Sequence, residues 1–151
     1  MRLQVEAFEP GALLSEFCRD RTTDGAVVSF TGLVRADQGA ATKLELEAYP
    51  GFTESEIERI AQAATVRFSI TDYLIVHRTG EITPGEAVVF VATASAHRRE
   101  AFEACDHLMD YLKSRAPFWK KEHGAGEPRW IEPTERDRTD TKRWDEQGSG
   151  Q

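Results

Sequence analysis

Residues 110–122, which read DYLKSRAPFWKKE, combine the residue types that could hold or transform an anion. Four cations flank Pro117 and two large aromatic residues, in a chain whose formal net charge is -7. The reversal of chain direction expected at Pro117 could bring Lys113 and Lys120 to one pocket. Burial and mutual repulsion would lower the pKa of at least one amine, which could then act as base or nucleophile while its charged neighbour holds an anion. A solvated helix end followed by an ordinary strand explains these residues equally well on their own.

Two other places have chemically capable residues at the ends of predicted elements. His97 and Arg98 follow an apolar segment and begin a predicted helix, and helix N-termini attract anions through their free amides. Arg35 ends a predicted strand beside a loop, where its guanidinium fork would suit phosphate or carboxylate. Arginines at such positions are often merely solvated, so each place alone remains an open alternative.

The chain lacks the residue patterns of several common enzyme classes. Cys18 and Cys105 stand far apart among apolar residues, and we interpret both as core fillers rather than as nucleophiles or a disulfide. We find no P-loop and no GxSxG, GxGxxG or HExxH motif, and the scattered histidines predict no metal site. No cofactor is expected, and sulfur chemistry would need sulfur from elsewhere.

Composition predicts one globular domain in the cytoplasm. The chain has 151 residues, of which 40% are hydrophobic and 30% charged. Its apolar runs are too short to cross a bilayer, and its first residues lack a signal-peptide core. Within residues 97–121 lysines and arginines outnumber carboxylates, which suits a small anionic ligand better than nucleic acid.

Hydrophobic periodicity predicts the element order α-β-β-α-β-β-α-β-β. Short connections between strands favour mostly antiparallel pairing, and helices interspersed among hairpins indicate an α+β fold. The predicted elements are helices at 10–20, 53–68 and 98–114 and strands at 25–35, 42–49, 73–78, 87–95, 118–122 and 129–132.

Local signals refine these elements. Gly32 predicts a bulge or a close backbone approach within its strand, and residues 53–56 read as a capping box. Residues 36–41 read as a loop. In the third helix, Phe102 is predicted to lie on the inner face together with Cys105, Met109 and Leu112.

The end of the sequence is polar and charged apart from Trp144. We therefore predict a domain over residues 1–133. Residues 134–151 are expected to form a charged tail that is either mobile or docks as an arm.

Seven segments of the chain resemble the MoaE family, the large catalytic subunits of molybdopterin synthase. The resemblance covers about residues 1–133 and rests on long motifs in one order. They are residues 25–35, 46–51, 76–81, 95–98, 109–113, 116–122 and 129–130.

The resemblance implies a fold, a reaction and partners that composition does not supply. The implied fold is the α/β-hammerhead. The implied reaction converts cyclic pyranopterin monophosphate (precursor Z) into molybdopterin, with sulfur from the C-terminal thiocarboxylate of a small ubiquitin-like partner, MoaD. The implied assembly is a heterotetramer, with a central homodimer of large subunits and one small subunit at each end.

The resemblance also implies site residues. Lys113 would meet the thiocarboxylate and assist proton transfer or attack, and Lys120 would stabilise negative charge on the pterin intermediate. The remaining matches bind the substrate's phosphate and pterin or line the pocket, with His97 and Arg98 expected from the neighbouring subunit; they are Arg35, His97, Arg98, Phe30 and Met109. Thr134 stands where some relatives have a site arginine, and the nearby Arg136 and Arg138 remain unassigned.

Two other functions remain open. A non-catalytic module would bind the C-terminal tail of a ubiquitin-like protein without any chemistry. An RNA-binding domain using Arg98, Arg99 and the region of Trp119 would bind oligonucleotides with steep salt dependence, but the overall negative charge argues against it.

Overall fold

The computed structural model describes residues 1–36 and 41–146 of the chain. Within these residues the chain forms eight strands and four helices, in an α+β arrangement. In chain order they are β1 (Arg2–Gln4), α1 (Pro10–Cys18), β2 (Ala26–Leu33), β3 (Ala41–Ala48), α2 (Phe52–Phe68), β4 (Asp72–Arg78), β5 (Gly80–Ile82), β6 (Ala87–Ser95), α3 (Arg98–Ser114), β7 (Phe118–Gly124), β8 (Arg129–Ile131) and α4 (Glu135–Glu146).

The first sheet has the strand order β1-β4-β6-β2 and surrounds the most apolar strand of the chain. β6 pairs antiparallel with β2 on one side and β4 on the other, and residues 89–95 of β6 are all buried. Helices α2 and α3 cover one face through the main core, while α1 covers the other through Phe17. A strand covered on both faces needs an unbroken apolar run, which is why the sequence predicted β6 well.

The second sheet has the strand order β5-β3-β7-β8 and is wholly antiparallel. The alternation of apolar and charged residues predicted for β3 is confirmed, with Leu46 buried and Glu47 exposed. A small core joins the two sheets, and it consists of Val34, Leu46 and Ile82. The site described below lies beside this junction.

The predicted antiparallel pairing is confirmed except at β1, which pairs parallel with β4. The sequence missed β1 and β5, which have three residues each, although the equally short β8 was predicted. The bulge predicted at Gly32 is confirmed by a register shift between Gly32 and Leu33. A Cβ atom at Gly32 would lie only 2.6 Å from Val89 Cγ1, so the Val89 side chain packs closely against the backbone there.

Two local predictions were wrong. The first turn of α2 is closed by the Gly51 amide, which donates to Glu54 Oε2 at 2.9 Å, and not by a box starting at Thr53. The Thr53 hydroxyl instead accepts from the Tyr49 amide and donates to the Pro117 carbonyl, both at 2.9 Å. In α3 the side chain of Phe102 is 61% exposed, because smaller residues fill the packed face at that end of the helix.

The prediction of a mobile tail from residue 134 was wrong for Glu135–Glu146, which form α4. This polar helix packs on α3, and its Trp144 is only 4% exposed within the main core. The Trp144 indole donates to Asp110 Oδ2 at 2.6 Å, and Thr141 Oγ1 lies 2.6 Å from Ser114 Oγ. Residues Glu135–Glu146 therefore form a docked arm, the other alternative predicted from the sequence. The arm docks on α3 of its own chain.

Parts of two predictions lie outside the described residues. They are residues 37–40 of the predicted loop and residues 147–151 of the predicted tail. In the part of the chain that is described, no helix combines the length and the apolar character needed to cross a membrane.

Candidate active site

A cavity of about 460 Å³ opens between the two sheets, bounded by the end of α3 and the start of α4. Its apolar wall includes Leu44 and Leu46 from β3 and Val88 and Val89 from β6. Its polar wall contains cations and carboxylates from several elements. A cavity of this size that combines an apolar wall with converging charged groups is suited to a small polar ligand.

Lys113 and Lys120 both line this cavity. Lys113 lies in the last turn of α3, and Lys120 lies two residues into β7, after the chain has reversed at Pro117. Burial, and then the positive charge of Lys113, lowers the pKa of Lys120 to about 8. Lys120 thus titrates close to neutral pH and can both carry a charge and exchange a proton.

Arg35 and Met109 line the same cavity. Arg35 follows β2 at the rim and is exposed, whereas Met109 is 8% exposed, one turn of α3 before Lys113. The sequence placed all four of these residues in the site. What brings them together is the junction of the two sheets, because α3 packs on the first sheet and β7 belongs to the second.

Phe30, His97 and Arg98 do not line the cavity of their own chain. All three are exposed. Arg98 begins α3 while Lys113 nearly ends it, and fifteen residues of helix separate their Cα atoms by roughly 22 Å. One chain therefore does not assemble the full predicted set.

His77 is a cavity residue that sequence reasoning missed. Its ring stacks on Phe118 with centroids 4.2 Å apart, and Nδ1 donates to the Arg78 carbonyl at 2.8 Å. Burial lowers the pKa of His77 to about 4, and the charges of Lys120 and Lys113 act in the same direction. The imidazole is therefore neutral near pH 7. The signal in the sequence was only its place in the family motif at 76–81.

Asp137 and Thr134 are two more cavity residues that the sequence left without a role. Thr134 caps α4: its amide and hydroxyl donate to Asp137 Oδ2 at 2.8 and 2.6 Å, and its Oγ1 accepts from the Asp137 amide at 3.2 Å. The pattern Thr-x-x-Asp at residues 134–137 was the signal that could have found them. The side chains of Arg136 and Arg138 are 90% and 58% exposed, and neither lines the cavity.

Within the described ranges 1–36 and 41–146, no group of three or more His, Cys, Asp or Glu side chains is arranged to hold a metal ion. The interpretation of both cysteines as core fillers is confirmed for Cys105, which is buried, and is wrong for Cys18, which is exposed at the end of α1. Burial raises the pKa of the Cys105 thiol to about 12, so this sulfur is not a thiolate near neutral pH.

The fold and the cavity define an α+β protein with two lysines on one cavity between its sheets. Residues 3–115 match the family model described as MoaE protein. The molybdopterin synthase catalytic subunit of Caulobacter vibrioides is 69% identical over 145 residues, covering 96% of this chain and 97% of the relative. That of Mesorhizobium japonicum is 51% identical, covering 95% of this chain and 92% of the relative.

A solved structure agrees with these sequence relatives. It is the molybdopterin biosynthesis MoaE protein of Burkholderia ambifaria, with a TM-score of 0.81, 39% identity, and coverage of 95% of this chain and 96% of that one. The chain belongs to the MoaE family, and it is an enzyme subunit of the molybdopterin synthase class.

Proposed function

We propose that this chain transfers sulfur to cyclic pyranopterin monophosphate to form molybdopterin. The sulfur donor in this proposal is the C-terminal thiocarboxylate of a small ubiquitin-like partner of the MoaD type. The observation that supports it best is the meeting of Lys113 and Lys120 on one cavity. Relatives at 69% and 51% identity carry the name of the catalytic subunit, and they support the same reaction.

The proposed roles follow from the position and charge of each amine. Lys113 is exposed at the rim, where an incoming carboxylate-like tail would meet it first. Lys120 lies deeper and has a pKa of about 8, so it can stabilise negative charge that develops on the pterin and exchange a proton with it. Arg35 at the rim offers a guanidinium fork for the substrate's phosphate.

The remaining predicted residues require a second copy of the chain. In the proposed homodimer, His97 and Arg98 of one subunit serve the cavity of the other, and Phe30 packs beside it. The exposed side chains of Phe30, Leu33 and Phe102, at 40%, 56% and 61%, support an apolar interface near β2 and α3. Two large and two small subunits would then form the heterotetramer.

The experiment that tests the reaction uses purified chain, thiocarboxylated partner and precursor Z. Lys113→Ala is expected to lower molybdopterin formation by at least about 100-fold while partner affinity changes little, because the lost amine acts in the chemistry. Lys121→Ala is the matched control, since its ammonium lies over the Trp130 ring, 5.2 Å from the centroid, and does not line the cavity.

A tail-binding module without chemistry is the second candidate. It predicts that Lys113→Ala weakens partner binding and any downstream effect equally. Parallel loss of binding and of product formation would therefore favour this alternative over catalysis.

A further inference from the structure

The amines face a carboxylate that comes from a different element. Asp137 lies in the first turn of α4 and lines the same cavity as Lys113 and Lys120. Its negative charge favours the protonated form of Lys120, against the effects of burial and of the Lys113 charge. Asp137 thus opposes the two influences that would remove a proton from the site.

The conformation of the Asp137 side chain is fixed by the cap of its own helix. Thr134 supplies two hydrogen bonds to Oδ2, at 2.8 and 2.6 Å, from its amide and its hydroxyl. Burial raises the pKa of this carboxyl, but those hydrogen bonds and the charges of Lys113 and Lys120 outweigh burial and hold the pKa below its ordinary value. Asp137 is therefore ionised at neutral pH.

The other end of α4 is anchored on the helix that carries Lys113. Arg143 Nη2 lies 2.7 Å from Asp110 Oδ2 and 2.8 Å from Asp106 Oδ2, and the Trp144 indole donates to the same Asp110 oxygen. Since Asp110 precedes Lys113 by three residues on α3, this anchor fixes Asp137 relative to the amines. A helix with only one large apolar residue in the main core, Trp144, is thus held in one place.

Further charged and titratable groups face Lys120 across the cavity. Among them cationic side chains outnumber carboxylates by three to two, and His77 is neutral near pH 7. These further groups are Arg35, Lys43, His77, Glu122, Arg129 and Glu132.

Four of these side chains already have ionic partners. Lys43 pairs with Glu81, Glu122 pairs with Arg129 at 3.0 Å, and Glu132 lies 3.9 Å from Arg138 Nη2. Asp137 differs from these two paired carboxylates in that its hydrogen-bond partner, Thr134, is neutral, and its charge favours the protonated form of Lys120.

We propose that Asp137 is a positioning residue of this site, which keeps the second positive charge on the lysine pair. An anionic tail and an anionic substrate would then meet two ammonium groups instead of one. This inference rests on the proposed function, because it assigns Asp137 a role in that reaction. It gives α4, an element absent from the sequence prediction, a part in the chemistry.

The test is Asp137→Asn, which keeps an oxygen for Thr134 and removes the charge. The ionisation of Lys120 is followed by NMR of lysine labelled at the ε-carbon and ζ-nitrogen, with resonances assigned through Lys120→Arg. We expect the midpoint of the Lys120 titration to fall by about half a unit or more. In the molybdopterin assay, the alkaline limb of the kcat/KM profile is expected to fall by the same amount.

Two variants separate charge from structure. Asp137→Glu restores the charge and is expected to return both profiles towards those of the wild type. Asp140→Asn removes a carboxylate one turn further along α4, where it lies 3.7 Å from Arg136 Nε and outside the cavity, and it is expected to change neither profile. Far-UV circular dichroism of all variants checks that α4 remains folded.

Three results would overturn the proposal. They are an unchanged Lys120 titration in Asp137→Asn, an equal shift in Asp140→Asn, or a shifted titration with an unchanged activity profile. If the wild-type chain forms no molybdopterin with partner and precursor Z, the proposed function fails instead. The lysine titration would then decide alone whether Asp137 controls the charge of the pair.

Discussion

His107 is a buried histidine enclosed by aromatic rings. Its ring centroid lies 5.1 Å from that of Phe68, 4.8 Å from that of Tyr111 and 5.1 Å from that of Trp144. Its Nδ1 is buried and has no hydrogen-bond partner among the described residues. Burial lowers the pKa of His107 to about 4, and the charge of Arg67 acts in the same direction. Folding therefore requires a neutral ring here.

The sign of the pH effect follows from the difference between the pKa of His107 in the folded state and its pKa in the unfolded state. The unfolded histidine has a pKa of about 6.5, so between about pH 6.5 and 4 the unfolded state binds more protons than the folded one. The contribution of the neutral His107 ring to the free energy of unfolding is fully present above pH 6.5 and is lost as the pH falls towards 4. His77 contributes in the same direction, because its pKa is also lowered to about 4.

We expect His107→Phe to reduce this acid-induced loss of stability by roughly 1–3 kcal/mol, since the new ring cannot take up a proton. Urea unfolding at pH 7.0 and 4.5, followed by circular dichroism, measures the change. His97→Gln, at an exposed histidine, is the control and should leave the wild-type pH dependence in place. Equal pH dependence in His107→Phe and wild type would contradict the assignment.

At the scale of elements, α4 borders the cavity, and its attachment to the rest of the fold depends largely on Trp144. Trp144 is its principal apolar contribution to the main core and packs edge-on against Phe68 at 5.6 Å. Arg67 adds a hydrogen bond from its guanidinium to the Trp144 carbonyl at 2.6 Å. One side chain therefore carries much of the attachment of this helix.

Trp144→Ala is expected to lower the free energy of unfolding by about 3 kcal/mol, because it leaves a large cavity in the core. Trp130→Ala is the matched control: Trp130 is 54% exposed and should cost less than about 1 kcal/mol. Chemical denaturation gives both values. Faster amide hydrogen exchange confined to α4 in Trp144→Ala would locate the loss, and similar costs for the two variants would refute the prediction.

The sequence predicted those elements whose own residues carry a period or a long apolar run. The predicted bounds of α3, residues 98–114, agree with the structure, and the apolar segment 87–95 is β6. α4 escaped because Trp144 is its only large apolar residue, so no stripe could form in the sequence. Its capping pattern at 134–137 was readable but had no stripe to support it.

The site was predictable where family motifs marked single residues and where a short turn joined two elements. Lys113 and Lys120 were joined in advance because only a proline turn separates their elements. His77 and Asp137 reach the same cavity from β4 and α4. Contacts between elements so far apart in the chain cannot be predicted from local sequence. Phe30 shows the reverse case, since its motif was recognised but its own chain does not bring it to the cavity.

At the scale of the whole molecule, β2 is an edge strand of the first sheet, and within residues 1–36 and 41–146 it pairs with β6 alone. Exposed apolar residues along and near such an edge favour association with another chain. The proposed homodimer would cover them and would supply His97 and Arg98 to the neighbouring cavity.

Subunit mixing tests this arrangement. His97→Ala and Lys113→Ala dimers should each be inactive, whereas unfolding and refolding them together should restore part of the activity, because each mixed dimer contains one complete cavity. Light scattering checks that all species are dimers. Mixtures that stay inactive despite forming mixed dimers would show that each chain uses its own His97.

The small core of Val34, Leu46 and Ile82 has a consequence for how the molecule responds to occupancy. Lys113 belongs to α3 on the first sheet and Lys120 to β7 of the second, and near the cavity the two sheets are held together by this small core, by the stacking of His77 on Phe118 and by the proline turn. A compound that binds both amines therefore links the two sheets across the cavity. Ligand binding at this site is then expected to raise the melting temperature of the protein.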